Sequence, residues 1–186
     1  MDDTATAPGP PSVAGVAVRL SNGEEAVLRP IRPDDKGLLV EGMARLSPES
    51  AQRRFLAPKK ELTARELRYL TEVDFTDHVA FVAVPAEGPE RLLGVGRWVR
   101  TGRDPALAEV AYLVIDELQG QGLGRVIARS LADAACARGV RRFVAVMLPG
   151  NTPARRLMAE ISEDRHARVE DGVQVVEGRL IACADG

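Results

Sequence analysis

EVAYLVIDELQGQGLGRVIAR, residues 109–129, is the stretch that decides the fold. Val110 to Ile115 is apolar and reads as a strand. It runs into a glycine-punctuated turn, Gln119-Gly120-Gln121-Gly122-Leu123-Gly124, and an amphipathic helix begins at once. Glycines without Cβ atoms let backbone N–H groups approach a ligand closely. The helix start adds unpaired N–H donors and the positive end of a macrodipole. Together they make a cradle for a diphosphate. Spacing sorts the candidates. A dinucleotide fingerprint needs G-x-G-x-x-G; Gly120 and Gly122 fit it, but Arg125 stands where the third glycine belongs. A nucleotide-triphosphate loop needs Lys and then Ser or Thr after its last glycine, and Gly124 is followed by Arg125 and Val126. What remains is Q-x-x-G-x-G, met by Gln119, Gly122 and Gly124, with a ligand-free strand-to-helix turn as the alternative.

Outward from this unit the chain alternates between element types. Residues 1–15 are small, Pro-rich and polar and read as a disordered tail, with one domain over residues 16–186. Val16 to Leu20 and Glu25 to Ile31 flank Asn22-Gly23, a hairpin signal. Pro33 opens a helix to about Leu46, Ser47-Pro48 caps a short one, and Thr63-Ala64-Arg65-Glu66 is a capping box. His78 to Val84, Arg91 to Arg100 and Ala108 to Ile115 follow as three strands of a meander. The helix after the loop carries Leu123, Val126, Ile127, Leu131, Ala134 and Ala135 on one stripe and stops near Gly139. Arg142 to Met147 is a strand, Asn151-Thr152-Pro153 starts a helix, and Asp171-Gly172 turns a final hairpin.

Composition excludes some functions. A net charge of −2 gives no broad footprint for nucleic acid. No apolar run approaches membrane-spanning length, and Asp2 and Asp3 stand where a signal peptide carries positive charge. Cys136 and Cys183 are too few for a disulfide framework and lack metal-ligand spacing. The expectation is a cytoplasmic protein, a monomer or homodimer, with no metal.

The loop Gln119 to Gly124 resembles the acyl-CoA pyrophosphate loop of the GNAT superfamily of N-acetyltransferases. The element order is similar to the GNAT fold along Val16 to Cys183. The resemblance implies an α+β architecture: a mixed, mostly antiparallel central sheet, helices on both faces, and a central strand–loop–helix–strand unit for acyl-CoA. In the first half, Leu28-Arg29-Pro30-Ile31-Arg32-Pro33-Asp34-Asp35, Leu46-Ser47-Pro48-Glu49-Ser50, Arg54-Phe55 and Asp77-His78-Val79-Ala80 look like the Pat-type protein lysine acetyltransferases.

This resemblance assigns roles. Acetyl-CoA is the cosubstrate, held by backbone groups of Tyr112, Leu113 and Val114, by the loop Gln119, Gly120, Gln121, Gly122, Leu123, Gly124 and Arg125, and by Asn151 and Arg156. An oxyanion takes a backbone N–H from the same strand. Glu109 is the general base, a carboxylate set in an apolar strand ten residues before Gln119. Its alternative is a solvated edge-strand glutamate. The family places a tyrosine seven residues after the asparagine to protonate the departing thiolate; that position is Met158, so the sequence shows no general acid. The implied function is acetyl transfer to a lysine side chain of a protein such as an acyl-CoA synthetase. A GNAT enzyme for a small-molecule amine and a non-catalytic acyl-CoA sensor stand as alternatives.

Overall fold

A computed structural model describes residues 15–183. The tail expected over residues 1–15 lies, apart from Gly15, outside the described residues. The hairpin β1 (Val16–Arg19) and β2 (Glu25–Pro30) forms as the Asn-Gly turn requires, with Gly23 at φ 88°. A single 3-10 turn, Pro33–Asp35, precedes α1 (Lys36–Ala44). This turn has a partner that fixes it. Asp35 accepts a fork of two 2.8 Å hydrogen bonds from Arg29 and a third, at 2.7 Å, from the Arg32 N–H. Both members of the pair are buried. Part of the Arg-Pro-rich motif is therefore scaffold.

Next come α2 (Pro48–Phe55), capped by the Ser47 hydroxyl, and α3 (Ala64–Thr71), whose capping box is present in full. Then follow β3 (His78–Pro85), β4 (Gly94–Arg100), β5 (Leu107–Val114), α4 (Leu123–Cys136), β6 (Arg142–Met147), α5 (Thr152–Ile161), β7 (Ser162–Glu170) and β8 (Val173–Leu180). The strands form one sheet in the order β1-β2-β3-β4-β5-β6-β8-β7. Every neighbouring pair is antiparallel except β5 and β6. A parallel pair needs a crossover, and α4 is that crossover.

Helices cover both faces. Along β3, Val79, Phe81 and Ala83 face one core, with α4 and α5, while Ala80, Val82 and Val84 face the other, with α1 and α3. Burial on both faces explains the unbroken apolar run of this strand. On β4, Gly94 and Gly96 let α4 lie close. A Cβ on Gly96 would collide with Ile127 and Leu131 of that helix.

One expectation fails. Cys136, the last residue of α4, and Cys183, in the turn after β8, form a disulfide, and no free cysteine remains among the described residues. They are 47 residues apart with no pattern between them. Only the fold brings the end of α4 beside the end of β8.

Candidate active site

The parallel pairing of β5 with β6 is short. It runs through Leu107↔Arg142, Ala108↔Phe143 and Glu109↔Val144, and then the strands part. Glu109 occupies the last rung. Beyond it, Val110 to Val114 keep their β4 partners but have none on β6. A cleft of about 460 Å³ opens there. Tyr112, Leu113 and Val114 line it, as do Gln119, Gly120, Gly122, Gly124, Arg125, Asn151 and Arg156.

The turn has the geometry its glycines permit. Gly120 and Gly122 stand at φ 77° and 92°, a region side chains rarely adopt. Gly122 is the N-cap of α4, and the N–H groups of Leu123 and Gly124 have no backbone partner among the described residues. Gly122 and Gly124 line the cleft, so these donors and the positive end of the helix dipole stand at its wall. Gly124 serves packing as well: a Cβ there would sit 3.3 Å from Leu157 of α5.

Two loop residues take other work. Leu123 is fully buried in the core, so only its backbone is available to a ligand. Gln121 does not line the cleft; its carbonyl accepts the Ser21 N–H at 3.2 Å. Gln119 uses its side chain to brace the loop. Its amide donates to the Val114 carbonyl and to Ser50 Oγ, both at 3.2 Å. Ser50 Oγ in turn donates to Asp116 at 2.5 Å, and Asp116 also accepts the Ser47 N–H at 2.9 Å. The hydrogen bonds hold the Asp116 carboxylate below its usual pKa despite the opposing effect of burial. Asp116 is thus the anchor that ties α2 to the loop.

The cations differ in availability. Arg125 pairs with Glu160 at 2.6 Å, whereas Arg156 is exposed, lines the cleft and has no ion-pair partner among the described residues. Asn151 Oδ1 caps α5 by accepting the Ala154 N–H at 3.2 Å, and the residue also lines the cleft.

A second pocket, about 290 Å³, lies on the α2–α3 side of the sheet. Glu109 lines it together with Arg54, Phe55, Tyr69, Arg97 and Ala111. Among the described residues Arg54 alone lines both cavities, so it marks their junction. The apolar setting expected for Glu109 is not found, because its side chain is exposed. It reaches solvent where β5 leaves β6. Arg97 was missed in the sequence. The signal was there: on β4 it alternates with Val95 and Val99, a charge set in an apolar face.

Met158 is fully buried, and the Tyr112 hydroxyl lies 3.8 Å from its Sδ. A phenol carried on β5 therefore reaches the position where the resemblance places a tyrosine of α5. Burial raises the Tyr112 pKa, which keeps the proton on the oxygen.

The chain matches a family model described as an acetyltransferase (GNAT) domain over residues 26–161. It is 36% identical over 147 residues to "Acetyltransferase Pat" of Mycolicibacterium smegmatis, covering 78% of this chain and 43% of that protein. The chain therefore spans less than half the length of that relative. It is 30% identical over 158 residues to "Acetyltransferase PA5475" of Pseudomonas aeruginosa, covering 84% of each. Among solved structures it is similar to the GNAT domain of S. lividans PAT, with TM-score 0.80, 32% identity, and coverage of 91% of this chain and 99% of that one. The forked β5–β6 pair, the glycine turn and these matches agree, and the chain belongs to the GNAT acetyltransferase domain family.

Proposed function

We propose that this chain transfers the acetyl group of acetyl-CoA directly to an amine, that Glu109 is the general base, and that the acceptor is a lysine side chain of a protein. The observation that carries the reading is the position of Glu109. It stands on the last β5–β6 rung and lines the pocket that meets the cleft at Arg54. The resemblance of the first-half motifs to the Pat-type protein lysine acetyltransferases supports the lysine acceptor, and the match to "Acetyltransferase Pat" agrees with that resemblance.

The division of labour follows from the two cavities. The cleft binds the acyl-CoA: free N–H groups at the start of α4 and the Arg156 guanidinium suit its phosphates, and the unpaired edge of β5 suits its amide-bearing arm. A lysine ammonium has a pKa near 10.4, so presenting it neutral at pH 7 costs about 4–5 kcal/mol. Glu109 takes that proton as the amine attacks the thioester carbonyl. A backbone N–H of β5 faces the developing oxyanion. Tyr112 gives its phenolic proton to the sulfur as the carbon–sulfur bond breaks, and regains one from water, to which Glu109 releases the proton it took.

Glu109→Gln tests the reading. Turnover should fall by about 10²–10⁴-fold with little change in acetyl-CoA affinity. The deficit should shrink at high pH, where free lysine is neutral unaided. A variant with near-wild-type turnover at neutral pH would show that Glu109 is structural. Acetylation of free amines with no protein lysine modified would select the small-amine alternative.

A further inference from the structure

The acceptor pocket carries more positive charge than its own residues neutralise. Arg54 and Arg97 both line it. Arg97 is only 4% exposed, and its hydrogen bonds go to neutral partners: the Leu70 carbonyl and His78 Nε2, each at 3.1 Å. A guanidinium only donates, so Nε2 must accept and the His78 ring is neutral. Among the described residues neither arginine has a carboxylate within ion-pair distance; Arg54 feels the Glu109 charge from further off, and Arg97 feels none. Burial, and then the Arg54 charge, pull the Arg97 pKa well below its usual value.

The wall offers two carboxylates. Glu66 is already engaged, receiving Lys59 Nζ at 2.7 Å and the Thr63 N–H at 2.8 Å. Glu109 is left, and its charge acts on Arg54. The register sets its relation to Arg97: Arg97 pairs with Ala111 and Val99 with Glu109, so Arg97 and Glu109 are diagonal neighbours on one face. One positive charge stays uncompensated at the deep end. A buried cation without a partner is costly, and an anion placed there offsets that cost.

We propose that Arg54 and Arg97 form a carboxylate subsite, so that the acceptor amine enters with a carboxylate beside it. The inference rests on the N-acetyl-transfer reading and names the acceptor's chemistry. A single planar carboxylate balances the single excess charge and suits the donor fork of a guanidinium. The carboxylate belongs either to the acceptor molecule or to an acidic side chain flanking a target lysine.

Matched acceptors decide it. Free lysine is compared with cadaverine, which lacks only the carboxylate. Capped peptides with Glu beside the lysine are compared with the same peptides carrying Gln. Calorimetric titration and KM are read for each. A charged hydrogen-bonded contact predicts a preference of about 10- to 100-fold for the carboxylate-bearing member. Preference in the free pair alone assigns the carboxylate to the acceptor molecule, and preference in the peptides alone assigns it to a flanking residue. Arg97→Gln should erase the preference; if that variant does not fold, Arg54→Gln carries the same test. Equal binding of both members of both pairs overturns the subsite. Binding is read without turnover, so a chain that prefers carboxylates but acetylates nothing would overturn the proposed function and keep the subsite.

Discussion

Arg97 donates from Nη1 to Nε2 of His78 at 3.1 Å, which commits a buried histidine to its neutral form. Burial, with the neighbouring Arg97 charge, pulls the His78 pKa down to about 4 from 6.5. Between these values the unfolded chain takes up a proton that the folded chain refuses. Stability is therefore full above about pH 6.5 and is lost as pH falls toward 4. The loss should be on the order of 2 kcal/mol after allowance for partial screening. Denaturant melts at pH 7 and pH 4.5 measure it, and His78→Gln should flatten the difference. An equal pH slope in that variant would place the acid sensitivity elsewhere.

Glu109→Gln should separate chemistry from binding. Single-turnover kinetics should show a slow transfer step, and calorimetry should show an acetyl-CoA isotherm close to that of the parent. A weakened isotherm would move Glu109 from base to structural support of the fork.

Arg156 and Arg125 should not contribute equally to CoA affinity. Arg125 is held by Glu160, while Arg156 is uncommitted. Arg156→Ala should weaken acetyl-CoA binding by about 3- to 10-fold, as for a solvent-screened phosphate contact, and the effect should fade at high salt. Arg125→Ala should cost less. The reverse ranking, measured by titration at two ionic strengths, would assign the phosphates to Arg125.

Tyr112→Phe removes the hydroxyl that faces Met158 and keeps the ring. If that hydroxyl protonates the sulfur, kcat should fall by about 10²-fold or more while acetyl-CoA affinity holds. Acyl-CoA analogues with more acidic thiols should recover part of the rate. Unchanged turnover would hand the proton to water.

The disulfide should be visible in stability. Closing a 47-residue separation is worth about 4 kcal/mol in the chain-entropy view. Reductant, or Cys136→Ser, should lower the Tm, and thiol titration of the denatured, unreduced chain should find no free thiol. Finding two free thiols would dismiss the bond.

The sequence resolved what depends on local chemistry. Asn22-Gly23, the Thr63–Glu66 box and the Asn151 cap lie where their residue types require. Gln119 to Gly124 revealed the turn because glycine at positive φ leaves a readable mark. Contacts between distant segments were hidden. Arg97 and Arg54, 43 positions apart, come to one pocket only once α2 lies against the sheet, and Tyr112 meets Met158 only once α5 has folded back on it. The Cys136–Cys183 bond was misread for the same reason. The exposure of Glu109 was hidden because alternation along a strand says which face a residue takes, and does not say where its neighbour departs.

The fork has a mechanical consequence. Its closed end is held by three rungs between β5 and β6, and the Cys136–Cys183 bond lies beside that end, joining the helix that follows β5 to the turn that follows β8. Its open end has no backbone bond across it. The sheet is thus a pair of tweezers with a covalent pin at the pivot and free tips, and an acyl-CoA arm lying between the tips would supply the strand they lack.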